Sequence, residues 1–359
     1  MAPAHLRHQS SLEEIIDFSA EPLLEADQYI KAKRKFYDII NRFEAADDSS
    51  RKYNRPVSKN QVLRAFFRSI AHATDEDRDI DFADKTLEEK VHSDLIEFAE
   101  YLLDTFFLPL KASANKNPQP SPVYHTVVKN GQGGARKYTG TEARVSTLRR
   151  SCLIRDRYRC VVSRNFDIVE GVERYKSNGN NAQDDDGNLL RDETSAFGPL
   201  EVACILPHTL MQTKADYTQQ ATLAILSLFD NGVVHLIKGA EINRPLNAIT
   251  LTIAFHRLLG NFELFFTPIP GHQPHTYRID SFAYIGDSLP ITRTFYLTES
   301  RSIEPPLPRL LALHRAIGHI LHLSGAGEYI DEILRDMEEC VRTDSSTELS
   351  RLKLHRIAL

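Results

Sequence analysis

Leu200-Glu201-Val202-Ala203-Cys204-Ile205-Leu206-Pro207-His208, Ile242-Asn243-Arg244-Pro245-Leu246-Asn247-Ala248-Ile249-Thr250-Leu251 and Phe255-His256-Arg257-Leu258-Leu259-Gly260-Asn261-Phe262-Glu263-Leu264-Phe265-Phe266 are the three segments whose joint reading decides the fold. Taken singly, each has an ordinary structural reading. Cysteine is among the most buried side chains, so Cys204 suits a core position. Asn247 suits a helix cap or a turn. His256 suits a helix face, and Phe262–Phe266 suits a strand. Spacing and flanking apolar residues agree across all three, which makes the set more specific than its members.

Together the segments resemble the HNH-endonuclease-type domain found in many fungal proteins. In that family the first motif reads Ala-His-Ile, the middle one carries an Asn, and the last reads His-Arg-Leu-Phe-Asp. Here Cys204 stands at the first His and Gly260 at the closing Asp. Arg-Asp-Arg-Tyr-Arg-Cys-Val-Val-Ser at residues 155–163 resembles the entry to the same domain. Pro305-Pro306-Leu307-Pro308, followed by Leu310, Leu311 and His314, continues the likeness, which runs from about residue 144 to 332.

The resemblance implies a ββα-metal finger, two strands and a helix around one divalent ion such as Mg, Mn, Ni or Zn. By position, Cys204 occupies the general-base site, Asn247 the orienting site and His256 the metal-ligand site. Ala203 stands where a second ligand often precedes the base. A thiol with an ordinary pKa near 8.5 is a poor match for activating water. His208, four residues on, is the alternative base.

Composition sets the outer limits. The chain has 359 residues, 42% of them hydrophobic, and so can bury a substantial core. No window approaches the eighteen or so apolar residues of a membrane span, and the first residues lack the apolar core of a secretory signal. The four cysteines show no Cys-x-x-Cys spacing, which points to a reducing cytoplasm or nucleus and away from a zinc knuckle. Charge is uneven: 15 Lys/Arg against 22 Asp/Glu in residues 1–110, 12 against 2 in residues 111–165, and 17 against 25 thereafter. The basic block, with Arg149, Arg150, Arg155, Arg157 and Arg159, suits phosphate contacts to nucleic acid. It equally suits internal pairing with the acidic flanks.

Periodicity divides the chain. Residues 1–110 read as helices, from patterns such as Phe98, Leu102 and Phe106. Pro109, Pro118, Pro120 and Pro122 announce an extended linker, and residues 111–140 form a Pro/Gly-rich basic connection. A domain is expected over 141–343, with a helix at Thr141–Arg155, a further helix at Met211–Phe229, strands around Phe262–Ile269, Tyr277–Phe282 and Thr292–Leu297, and a long C-terminal helix. His314, His319 and His322 on that helix read as structural. Residues 175–196 read as a disordered insertion, with Asp184-Asp185-Asp186 a weak candidate for magnesium, and 344–359 as a tail. The expected class is α+β.

Three functions remain open on these grounds. The first is metal-dependent phosphodiester hydrolysis, or nucleic-acid binding by a degenerate site. The second is a scaffold repurposed for small-molecule acid/base or cyclisation chemistry, with a pocket lined by Phe255, Phe262, Phe265 and Phe266 beside Cys204, His208 and His256. The third is a non-catalytic interaction protein.

Overall fold

The computed structural model describes residues 93, 96–114, 141–207, 216–229, 232–285, 289–298 and 302–343. Their fold is α+β, with helices set among three small sheets. Contacts group the chain into two units, Phe18–Ala112 with His319–Leu359, and Met1–Asp17 with Ser113–Gly318. The stretch expected as one domain, 141–343, is thus divided after Gly318. No described helix is long and apolar enough to cross a membrane.

In the first unit, Leu102, Phe106 and Leu110 are buried at helical spacing, as the pattern over 98–106 predicts. The helix continues through Pro109 as α1, Leu108–Ala114, so this part of the expected extended linker is helical. A π-turn at Leu103–Phe107 ends two residues before the proline. It shifts the hydrogen-bond register where the missing N–H would break an ordinary helix. Lys111 is buried and donates to the Gly327 carbonyl at 3.0 Å while pairing with Asp331 at 2.6 Å.

The second unit holds the candidate site. Helix α2, Thr141–Arg155, coincides with the expected span. Its Leu148 and Cys152, four residues apart, face one side and pack with Val202 and Ala248. A tight turn with left-handed backbone at Arg157 and Tyr158 (φ 55° at each) then leads to β1, Phe166–Asp167. Asp167 caps α3, Ile168–Asn178, by accepting from the Glu170 N–H at 2.9 Å. Strand β1 pairs in parallel with β2, Phe197–Gly198.

Residues 175–196, expected to be disordered, are ordered between these strands. Each acid of the 184–186 run meets an arginine: Asp184 with Arg159 at 3.0 Å, Asp185 with Arg174 at 2.6 Å, and Asp186 with Arg157. Asp184 also accepts from the Asn188 N–H at 2.8 Å. Burial works against its charge, but the hydrogen bonds from Asn188 and Arg159 prevail and hold its carboxyl below the ordinary value. The run therefore neutralises arginines, which corrects the magnesium reading.

Strand β3, Leu200–Cys204, pairs antiparallel with β4, Ala248–Thr252, in the register Cys204↔Ala248, Glu201↔Leu251 and Leu200↔Thr252. Between them run α4, Asp216–Phe229, and α5, Val233–Ile237. Helix α6, Ile253–Gly260, follows β4 without a break. Strands β5 (Leu264–Pro268), β6 (Thr276–Ser281) and β7 (Ile291–Thr294) form an antiparallel meander, as their Pro/Gly-separated apolar runs predict. Helix α7, Pro308–Leu323, and α8, Ala326–Thr343, complete the described chain. His314 is buried and donates from Nε2 to the Leu259 carbonyl at 2.9 Å, a structural role as expected.

Candidate functional site

The strand–strand–helix unit β3–β4–α6 is held at its open end by Asn247. This side chain is fully buried. Its Oδ1 accepts from the Leu206 N–H at 2.9 Å, and its Nδ2 donates to the carbonyls of Leu206 and Ile242, both at 2.9 Å. Its own carbonyl accepts from the Ile205 N–H at 2.8 Å. One amide thus ties the end of β3 to the start of β4.

Behind this clamp lies Arg155, also buried. Its Nε and Nη2 donate to the two carboxylate oxygens of Asp156, each at 2.9 Å. Nη1 donates to the Pro245 and Glu304 carbonyls, and Nη2 also to that of Ala248. Asp156 in turn accepts from the Thr250 N–H at 3.1 Å. The segment around Asn247 is therefore fixed on both sides by a fully used guanidinium.

His256 lies on α6 with Nδ1 2.6 Å from a carboxylate oxygen of Glu201 on β3. The two side chains are 12% and 27% exposed, so solvent reaches the pair. A carboxylate only accepts hydrogen bonds, so the imidazole carries a proton on Nδ1. Glu201 was not among the residues singled out by sequence. The available signal was a lone acid inside the apolar run Leu-Glu-Val-Ala-Cys.

Alternation along β3 places Glu201 and Ala203 on the face towards α6, and Leu200, Val202 and Cys204 on the other. Cys204 is half-buried against the Leu148, Cys152, Val202 and Ala248 cluster on α2. The sequence reading joined Cys204 and His256 in one constellation. Their side chains instead project from opposite faces of the hairpin, because residues 201 and 204 differ by an odd number of steps. Burial pushes the neighbouring Cys152 thiol up to about 12. His208 lies outside the described residues.

The arginines proposed for nucleic acid are mostly committed elsewhere. Arg149 donates to the Leu200 carbonyl at 2.8 Å. Arg155 is buried, Arg159 pairs with Asp184 and Glu193, and Arg157 pairs with Asp186. Arg150 alone of the five is exposed. Of these five, Arg155, Arg157 and Arg159 are thus ion-paired within the fold, Arg155 by Asp156 and the other two by carboxylates of residues 184–193.

Nor do the four phenylalanines line one pocket. Phe262 is buried and stacks on His314 with ring centroids 4.6 Å apart. Phe266 is buried edge-on to Tyr277 and Phe295. Phe265, its neighbour in β5, points to the opposite face and meets Phe282 at 4.7 Å. Phe255 is half-buried on α6. Burial of the Phe262 and Phe266 rings contributes roughly 2–3 kcal/mol each to a core rather than a cavity.

Among the described residues, no group of three His, Cys, Asp or Glu is arranged to hold a metal ion. What the site offers chemically is one solvent-reached imidazole oriented by one carboxylate. No family model, no curated protein and no solved structure matches this chain.

Proposed function

We propose that residues 200–260 form an HNH-type ββα finger, and that the protein is an HNH-nuclease-like protein whose hydrolytic set is degenerate. The unit that remains is an acid/base dyad, His256 with Glu201. The carrying observation is the 2.6 Å contact between His256 Nδ1 and the Glu201 carboxylate on the face shared by β3 and α6. The order strand–strand–helix, the clamp by Asn247 and the position of His256 support the finger assignment.

The divalent ion implied by the resemblance meets a poor donor set. His256 supplies one nitrogen, position 203 is an alanine without a donor, and the Glu201 oxygen is engaged with the imidazole. A hard cation takes several oxygen ligands, and zinc takes three or four protein ligands. These residues do not fit a resident ion.

The dyad needs none. Glu201 fixes the Nδ1–H tautomer, which presents the Nε2 lone pair as proton acceptor. When Nε2 takes a proton from a substrate O–H, N–H or activated C–H, the carboxylate stabilises the imidazolium; the proton returns to the product or leaving group. This suits acid/base conversion of a small molecule, the repurposed-scaffold reading. Phosphodiester cleavage remains the competing proposal. Its base position is a thiol on the opposite face of the hairpin.

Two assays on the full chain separate the readings. The dyad is expected to hydrolyse the activated ester p-nitrophenyl acetate, with loss of the activity in His256→Ala. Supercoiled plasmid, incubated with magnesium, manganese, nickel or zinc in turn, is expected to stay intact. Metal-dependent nicking that His256→Ala abolishes would sink the dyad reading and restore a working nuclease. Nicking by Cys204→His alone would restore the view that only the base was lost.

A further inference from the structure

Away from the finger, four side chains converge at the turn after α2 and the end of the β5–β7 meander. The guanidinium carbon of Arg164 lies 4.4 Å from the centroid of the Tyr296 ring, and that of Arg157 lies 4.8 Å from it. Arg293 on β7 reaches the same turn, donating from Nε to the Val162 carbonyl at 2.8 Å. Arg164 donates from Nη2 to the Thr294 carbonyl at 2.7 Å, while its Nη1 is buried with no hydrogen-bond partner.

The charge balance here differs from that around four other described arginines. Arg155, Arg159, Arg174 and Arg244 each sit on at least one carboxylate. In this cluster Arg157 alone has one, Asp186. The hydrogen bonds of Arg164 and Arg293 end on backbone carbonyls. Burial, with the charge of Arg293 as a smaller contribution, holds the Arg164 guanidinium below its ordinary value, against raising effects of Tyr296, Asp156 and Cys160. Two of the four residues also adopt left-handed backbone, φ 55° at Arg157 and 67° at Arg164, a conformation uncommon for arginine. Such conformations persist where surrounding structure enforces them, and they concentrate at binding sites.

We propose that Arg157, Arg164, Arg293 and Tyr296 form a binding site for a phosphate group, free or carried as a monoester. Three guanidinium forks suit a tetrahedral oxyanion with several acceptor oxygens and more than one negative charge. The phenol of Tyr296 adds a further donor. A bound phosphate supplies the ion-pair partner that Arg155, Arg159, Arg174 and Arg244 find in Asp and Glu.

The test is calorimetric titration of the full chain with inorganic phosphate and with phenyl phosphate, at constant ionic strength against chloride and acetate. Saturable binding of phosphate but not acetate is expected. Arg293→Gln and Arg164→Gln, each checked for native circular dichroism, are expected to weaken it about tenfold or more, the loss of one charge-assisted hydrogen bond. His256→Ala is expected to bind phosphate as the native chain does, which keeps this site separate from the finger. Equal affinity for the two ligands assigns the free anion, and tighter binding of phenyl phosphate assigns an ester. Absence of saturable binding by both, or native affinity in both arginine variants, overturns the proposal.

Discussion

Glu201 and His256 meet across β3 and α6 at 2.6 Å, a contact that joins two ionisable side chains within reach of solvent. The carboxylate sets which ring nitrogen carries the proton. Glu201→Gln keeps an acceptor of similar size but cannot balance an imidazolium, and Glu201→Ala removes both. The rate constant for p-nitrophenyl acetate is expected to fall about 10–100-fold in either variant, the range for carboxylates that orient a functional histidine. The ¹⁵N shifts of His256 separate positioning from collapse. In the native chain they are expected to show one tautomer, and in Glu201→Ala a mixture. An unchanged tautomer in Glu201→Ala would remove the carboxylate from the mechanism.

Asn247 carries the geometry of the strand–strand–helix unit in three hydrogen bonds from a fully buried amide. Asn247→Ala leaves the Leu206 N–H and the Leu206 and Ile242 carbonyls without their partners. Each buried, unsatisfied group costs about 1–3 kcal/mol. A total loss of about 3 kcal/mol or more is expected, read as a lower urea midpoint with an unchanged slope. Asn247→Asp keeps the acceptor but aims a carboxylate at two carbonyl oxygens, so its loss is expected to be at least as large. A shift below about 1 kcal/mol in both variants would mean that water takes over the amide's role.

The framework of this unit was legible in sequence because its signals are local. Thr141–Arg155 keeps Leu148 and Cys152 four residues apart, and the β5–β7 strands are marked by Pro and Gly turns. Asn247 follows a Pro-Leu pair that makes a tight turn directly before β4. The ordering of residues 175–196 was not legible, because its cause is distant. Asp, Asn and Gly read locally as solvated, yet the acids fold onto Arg157, Arg159 and Arg174. The same pairing hid the fate of the basic block. Glu201 was missed because its partner is 55 positions away, and Cys204 was misjoined to His256 because motif spacing says nothing of strand face.

Gly318 on α7 is set by contact rather than by helix preference. A Cβ there would lie 2.6 Å from the Phe262 carbonyl oxygen and 3.4 Å from Phe282 Cε2. Phe262 is itself held in left-handed backbone at φ 61°, so its carbonyl has little freedom to retreat. Alanine is favoured over glycine in a helix by about 1 kcal/mol, whereas overpacking costs about 1–3 kcal/mol. Gly318→Ala is therefore expected to destabilise, by about 1 kcal/mol or more in chemical unfolding. Net stabilisation would show that α7 can move off Phe262 without cost.

His314 gives the fold a pH dependence with a definite sign. Burial lowers its imidazole to about 4, partly offset by the hydrogen bond to Leu259. An unfolded chain has the ordinary value near 6.5. The histidine is neutral in the native protein, so its full stability is present above about pH 6.5. As pH falls from there towards 4, the unfolded chain binds a proton that the native state does not, and stability drops by on the order of 3 kcal/mol. His314→Gln retains an N–H donor for the Leu259 carbonyl and has nothing to titrate. Its stability relative to native is expected to improve by on the order of 2 kcal/mol between pH 7 and pH 4.5, since this component is missing from its slope. Denaturant curves of both proteins at the two pH values make the comparison, with all other titrating groups common to both. Parallel losses in the two proteins would mean that His314 accepts its proton without unfolding, through rotation of the ring away from Phe262 towards solvent.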